Sequence, residues 1–206
     1  MRGMKHIFRS VALALAGGLM MAPAALAADS DAIAPVSALD AALIVTMKSG
    51  LAGKKFQTRY DALAPVVKQT YDLPEVTKNS VGLLWSTLPA SQQSELIDLF
   101  TQFTVSSYVS QFNSYSGQTL TVIPPVKALG QKKIVETKLS SDDGGVELDY
   151  VVAYTDHAWK IDDVLLNGTI SQVAVHASDF ASLVKSGDAS QLISALKTKI
   201  AVLQNS

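Results

Sequence analysis

The stretch KKIVETKLSSDDGGVELDYVVAYTDHAWKIDDVLL, residues 132–166, decides the fold. Apolar and polar residues alternate along most of it, and this period of two is typical of half-buried strands. The Ser, Asp and Gly residues at 141–145 interrupt the alternation, and Asp and Gly tolerate the backbone of a tight hairpin turn. The sequence therefore predicts antiparallel strands over 132–139, 146–155 and 159–166.

Two details refine this sheet. A further strand is predicted over 119–123, ended by Pro124 and Pro125, which cannot donate to a sheet ladder. The paired carboxylates Asp162 and Asp163 interrupt the last strand and indicate a bulge there. The sheet is thus expected to have about four strands.

Helical periodicity precedes and follows the strands. Apolar residues recur there every three or four positions, which is the period of an amphipathic helix. The predicted helices cover residues 35–48, 56–70, 74–79, 81–87, 89–113, 169–185 and 188–204. A run of helices, then strands, then helices favours an α+β fold in which an antiparallel sheet packs against helices.

Composition excludes several classes of protein. The chain has 206 residues, 48% of them apolar, and no cysteine, so a disulfide scaffold, a thiolate metal site and a cysteine nucleophile are ruled out. The formal net charge of -1 provides no basic surplus for nucleic acid, which is therefore not an expected partner.

The N-terminus has the pattern of a secretory signal. Arg2, Lys5 and Arg9 precede an uncharged apolar run over 11–21, and the small residues Ala25 and Ala27 follow at the two recognition positions. This pattern predicts cleavage before Ala28, leaving one domain over 28–206 in the periplasm. No later stretch is expected to be long and charge-free enough to cross a membrane.

A search for catalytic residues yields little. The histidines of the mature chain are His157, in a predicted turn, and His176, three residues before Asp179 on a predicted helix. No zinc-protease, nucleophile-elbow, phosphate-loop or dinucleotide motif is present. We therefore expect neither an enzyme nor a metal or cofactor. A hydrolase or isomerase built on either histidine would need that ring beside a cleft and hydrogen-bonded to a carboxylate.

Several short motifs follow one another in a distinctive order along the chain. The motifs are Tyr71-Asp72-Leu73-Pro74, Ser80-Val81-Gly82 with Trp85, Leu88-Pro89-Ala90, Tyr115-Ser116-Gly117, Trp159 to Val164, Asn167-Gly168, and a tail with Phe180, Ser186-Gly187 and Leu192 to Leu203. In this order they resemble the MlaC family of periplasmic phospholipid-binding components of ABC-type lipid transport systems, also called toluene-tolerance proteins. The first motif together with Phe112–Gly117 resembles the HpnM-like, hopanoid-associated branch.

This resemblance implies a fold and a set of partners. The sheet and the helices would enclose a deep apolar cavity for acyl chains, and no catalysis is implied. The ligand would be a phospholipid or a hopanoid-type lipid. The partners would be an inner-membrane ABC transporter complex and an outer-membrane lipoprotein complex, and the carrier itself is expected to be a monomer.

A carrier of this kind answers a physical need. Exposing an acyl chain to water costs about 0.8 kcal/mol per methylene, or on the order of 12 kcal/mol for a sixteen-carbon tail.

From the facing of the predicted elements, the candidate lipid-binding residues are Leu84, Trp85, Phe100, Phe103, Val105, Val122, Val135, Leu148, Tyr150, Val152, Trp159 and Ile161. Tyr108 and Phe112 fit ordinary packing equally well. The alternative function is an envelope interaction module whose apolar residues form an ordinary packed core.

Overall fold

The computed structural model describes residues 24–141 and 144–205, and only the backbone of residues 24–28. Residues 1–23 of the predicted signal peptide and residues 142–143 of the predicted turn lie outside these ranges. The elements in chain order are α1 (Ala24–Leu51), α2 (Phe56–Thr70), α3 (Leu73–Val81), a 3₁₀ helix (Gly82–Thr87), α4 (Ala90–Gln111), β1 (Thr119–Leu129), β2 (Lys132–Ser141), β3 (Gly144–Thr155), β4 (Ala158–Leu166), β5 (Ile170–Ser171), α5 (Gln172–Phe180) and α6 (Ser190–Gln204).

The strands form one antiparallel meander in the order β1-β2-β3-β4-β5, which confirms the predicted α+β fold. The fifth strand is only Ile170–Ser171, too short for alternation to reveal it. The predicted bulge is also confirmed. Val151 pairs with Asp163 and Val152 with Ile161, so Asp162 stands opposite no residue of β3.

The predicted end of the first strand is wrong. β1 runs through Pro124 and Pro125 to Leu129, with a shift in register between Ile123 and Lys127. β1 lies at the edge of the sheet, where a missing backbone donor breaks no pairing on its outer side. The edge position therefore tolerates a proline pair that would interrupt a central strand.

The first helix begins earlier than Pro35. α1 starts at Ala24 and contains Pro35, and the preceding residues are mostly alanine, the strongest helix former. By length and composition Asp29–Leu51 would suffice to cross a membrane, contrary to our expectation. In the fold, however, Leu39 and Leu43 of this segment are fully buried, as in a core helix.

The helices pack against the sheet in layers. α1 contacts β1, β2 and β4 directly, and α2 packs beside it. α4 contacts α2, α3 and α6, while α5 bridges α3 and β4. The core between α1 and the sheet contains the fully buried Val135, Val152 and Ile161, together with Leu39 and Leu43.

A close backbone approach joins the end of α1 to the end of α4. A Cβ atom built on Gly50 would lie 2.9 Å from the Cα of Asn113 and nearer still to its carbonyl group. We expect Gly50→Ala to lower the free energy of unfolding by about 1–3 kcal/mol, as in other overpacked sites. Urea unfolding measures this, with Ser49→Ala in the same turn as the control. Equal stability of the two variants would contradict the close approach.

Candidate functional site

A cavity of about 210 Å³ lies between the helices and the sheet. Its walls come from α3, α4, α5, β3 and β4, and from the residues that join α2 to α3. The lining residues are Tyr71, Leu73, Val76, Phe100, Phe103, Thr104, Ser107, Tyr108, Gln111, Phe112, Leu148, Tyr150, Asp163, Val164, Leu166, Gln172, Val173 and His176.

α4 supplies the longest wall. Phe100, Phe103, Ser107 and Gln111 are spaced by three or four residues, so they lie on one face of the helix. Exposure increases along this face, from the buried Phe100 to the exposed Gln111. The cavity therefore has a buried apolar part and a partly exposed end near the C-terminus of α4.

α5 closes the cavity and is fixed to β4 by its first turn. Asp163 of β4 accepts hydrogen bonds from the Ser171 hydroxyl at 2.5 Å and from the Val173 backbone N–H at 3.1 Å. The Ser171 hydroxyl in turn accepts from the Ala174 N–H at 3.0 Å, which caps the helix. This local network holds Val173 and His176 over the cavity. The predicted bounds of this helix are wrong, because residues 169–171 and 181–185 lie outside α5.

An aromatic cluster forms the wall beside α5. The His176 ring lies 5.3 Å from the Phe100 centroid, 5.7 Å from that of Phe103 and 5.5 Å from that of Phe180. Burial lowers the pKa of His176, although the carboxylates of Asp179 and Asp163 act in the opposite direction. The imidazole is thus favoured in its neutral form, which suits a wall made largely of hydrocarbon.

Three tyrosines of the lining, Tyr71, Tyr108 and Tyr150, lie close to one another, and we call them the tyrosine cluster. The hydroxyls of Tyr71 and Tyr108 are hydrogen-bonded to each other. The Tyr150 hydroxyl donates to Oδ1 of Asp40 in α1 at 3.2 Å. Tyr71 is held in place because the next residue, Asp72, donates its N–H to the carbonyl of Ile161 at 2.9 Å.

Burial controls the charge of this cluster. It raises the pKa of Asp40 from 3.8 to about 7, and the hydrogen bond from Tyr150 opposes only part of that rise. Burial also raises the pKa of Tyr108 to about 12 and the pKa of Tyr71 well above its usual value. Below pH 7 the cluster is therefore mostly neutral and consists of hydroxyl-type donors and acceptors.

The cavity brings together four of the twelve residues that we selected from the sequence, namely Phe100, Phe103, Leu148 and Tyr150. The other eight lie outside its lining. Val105, Val135, Val152 and Ile161 are fully buried in the core. Leu84 and Trp85 are partly buried on the 3₁₀ helix, and Val122 and Trp159 are partly buried on β1 and β4.

Sequence reasoning missed most of the polar lining. Thr104, Ser107 and Gln111 continue the helical face that begins at Phe100, and this spacing is the signal that could have revealed them. From sequence, Tyr108 and Phe112 fit the wall and ordinary packing equally well. Their place on the wall depends on how α4 is rotated against the sheet, which the apolar pattern of a wide helix face does not specify.

The lining shows no arrangement of catalytic groups. His176 reaches the cavity, but no hydrogen bond joins it to a carboxylate within residues 24–141 and 144–205. His157 is exposed in the turn between β3 and β4. In the described part of the chain, no group of three or more His, Asp or Glu residues could hold a metal ion. The arrangement is suited to enclosing an apolar guest.

Comparisons with known proteins agree with the fold. The family model described as MlaC protein matches residues 38–198, well over half of the chain. No curated protein matches the sequence. A solved structure of the phospholipid-binding protein from Ralstonia solanacearum, in complex with a phospholipid, has a TM-score of 0.73 and 24% sequence identity. The match covers 84% of this chain and 98% of that one, which shows a shared fold.

Proposed function

This chain belongs to the MlaC protein family, and on that premise we propose that it is a carrier that encloses the acyl chain of a phospholipid in the cavity. The observation that carries the proposal is the cavity itself, which lies between α4, α5 and the sheet. An ordinary packed core, as the alternative of an envelope interaction module requires, would leave no such space. The Ralstonia solanacearum protein of the same fold was solved with a phospholipid, which supports the same ligand class.

The energetics of transfer agree with this proposal. A tail of sixteen carbons exposed to water is disfavoured by on the order of 12 kcal/mol, and an apolar wall removes most of that cost. Phe100, Phe103 and Leu148 supply hydrocarbon surface at the buried part of the wall. The polar headgroup can stay near the exposed Gln111, where water solvates it. The protein thus needs no catalytic group to perform its function.

The cavity is small for its proposed cargo. Its 210 Å³ lies below the roughly 300–1,000 Å³ typical of pockets that hold small molecules. A whole acyl chain therefore requires the walls to part, and a flexible chain can enter in stages. A rigid fused-ring lipid of the hopanoid type would need a wide space at once, so the geometry favours the phospholipid. The hopanoid-associated branch remains a prediction from the motifs over 71–74 and 112–117.

We place the carrier in the periplasm. Residues 1–27 have the pattern of a signal peptide, and cleavage before Ala28 would leave 28–206 as one lipid-binding domain. Its partners would be an inner-membrane ABC transporter complex that exchanges lipid with it and an outer-membrane lipoprotein complex. A monomer is expected, since a shuttle must present its cavity to each complex in turn.

Identification of bound lipid tests the proposal. The protein is exported to the periplasm of a Gram-negative host and purified without detergent, and its organic extract is analysed by mass spectrometry. We expect phospholipid in stoichiometric amount. Hopanoid in its place would support the second ligand class, and an extract without lipid, together with no uptake from phospholipid vesicles, would overturn the proposal. N-terminal sequencing of the same sample tests cleavage before Ala28.

Filling the cavity should abolish lipid binding. Ser107 lines the cavity on α4, so Ser107→Trp places an indole ring in a space of about 210 Å³. We expect at least a tenfold loss of co-purified phospholipid, because the ring displaces the acyl chain from its wall. Gln102→Trp is the matched control, since Gln102 is exposed on the same helix and lies outside the lining. A folded Ser107→Trp protein with full lipid content would contradict the assigned site.

A further inference from the structure

Two polar side chains of the cavity wall can form hydrogen bonds that the protein itself does not use. Ser107 of α4 and His176 of α5 both line the cavity, and both are half-buried. Among the residues that the structure describes, neither the Ser107 hydroxyl nor the His176 ring makes a hydrogen bond. Thr104 differs, because its hydroxyl donates to the Phe100 carbonyl at 2.8 Å. We call Ser107 and His176 the donor pair.

Both members of the donor pair border Phe103 on the cavity wall. The His176 ring lies 5.7 Å from the ring of Phe103, and Ser107 follows Phe103 by one turn of α4. One turn beyond Ser107 the same helix face reaches Gln111, which is exposed. The donor pair therefore lies along the wall between the buried aromatic rings and the solvent. In a lipid whose chain is buried and whose headgroup is solvated, this is the place of the linkage that joins the two.

The wall favours an uncharged acceptor at this place. The Ser107 hydroxyl offers one O–H group, and a neutral His176 ring offers one N–H group. In the described part of the lining there is no lysine or arginine, and the acidic side chain is that of Asp163. A phosphate drawn into the wall would lose water and find no cation in return. An ester carbonyl oxygen needs only a donor, and the donor pair supplies one.

Resting on the proposed function, we infer that the donor pair recognises the ester linkage of the lipid, whose carbonyl oxygen accepts a hydrogen bond from Ser107 or His176. The acyl chain then lies against Phe100, Phe103 and Leu148, and the headgroup stays in water. The cavity therefore prefers ester-linked lipids to ether-linked lipids of the same chain length and headgroup. An ether lacks the carbonyl group, so it leaves the donor pair without that acceptor.

The test uses two lysophosphatidylcholines that differ only in this linkage. One carries a hexadecanoyl chain joined by an ester, and the other carries a hexadecyl chain joined by an ether. The affinity of each is measured by displacement of a fluorescent lipid from the full protein, purified after export and freed of lipid. We expect the ester to bind about fivefold more tightly. Hydrophobic transfer alone would favour the ether, because it is the more apolar of the two.

Variants locate the preference. In Ser107→Ala/His176→Phe the affinity ratio of the ester to the ether should fall about fivefold, and the phenylalanine keeps an aromatic ring beside Phe103. Each single change is measured as well, and at least one of them must lower the ratio. Ser94→Ala is the control, because Ser94 is exposed on α4 and lies outside the lining, so the ratio should stay unchanged. If the double variant does not fold, the single variants and the unmodified protein decide the matter.

Two results would overturn the inference. One is an ether lipid that binds the unmodified protein as tightly as the ester lipid or more tightly. The other is an affinity ratio that stays the same in every folded variant of the donor pair. Either result would leave the proposed carrier function intact, since both lipids would still bind. Failure of both lipids to bind would overturn the proposed function and this inference together.

Discussion

Replacing Asp40 with asparagine is expected to raise the free energy of unfolding by about 4 kcal/mol at pH 8 and to change it little at pH 4. The reason is the cost of ionising a carboxyl group inside the protein. Asp40 is 5% exposed, and burial raises its pKa from 3.8 to about 7. Asparagine keeps a side-chain oxygen that can accept the hydrogen bond of Tyr150 and never becomes charged.

The sign follows from proton linkage. Between pH 4 and pH 7 the folded protein holds the Asp40 proton while the unfolded chain releases it, so stability falls as the pH rises. Above pH 7 both forms are ionised and the loss is complete. Below pH 4 both are protonated and the loss vanishes. The Asp40→Asn variant escapes this particular loss, so the two stability curves should diverge across that window.

Urea unfolding at several values between pH 4 and pH 8 measures this divergence. Asp31→Asn is the matched control, because Asp31 is exposed on the same helix. Its curve should run parallel to that of the unmodified protein, since other titrating groups contribute equally to both. If the stability curve of Asp40→Asn also ran parallel to that of the unmodified protein, Asp40 would not be buried as described.

The second large effect is expected for Val152→Asp. Val152 is fully buried and faces Ile161 across the β3–β4 pair, so an aspartate there would be a charge without a partner. We expect the free energy of unfolding to fall by about 3–5 kcal/mol, a large fraction of the roughly 5–15 kcal/mol that stabilises an ordinary domain. Any loss of co-purified lipid in this variant would follow from unfolding, because Val152 lies outside the cavity lining.

Circular dichroism and thermal melting measure the effect of Val152→Asp. Ala153→Asp is the control, because Ala153 is on the opposite face of β3 and pairs with Lys160, which offers the new carboxylate a partner. This control should fold and melt close to the unmodified protein. A Val152→Asp protein as stable as the control would contradict the facing of β3.

Much of the fold could be predicted because it depends on local pattern. The alternation over 146–155 predicts a strand, and its period of two places Leu148, Tyr150 and Val152 on one face of β3. The bounds of α2, Phe56–Thr70, agree with the predicted ones because the period of its apolar residues is regular. The predicted end of β1 is wrong, because a strand tolerates Pro124 and Pro125 only at the edge of a sheet. Whether a strand lies at the edge is a property of the whole sheet.

The candidate site depended more on tertiary structure. Sequence determined which residues of this protein are apolar and which face of each element is buried, since burial follows the hydrophobic effect and the period of the backbone. It could not separate Val152, in the solid core, from Leu148 on the cavity wall, because both face inward from the same strand. Only the packing of α4 and α5 over the sheet decided where space remains, and it brought Tyr71, Tyr108 and Tyr150 together in the cavity lining.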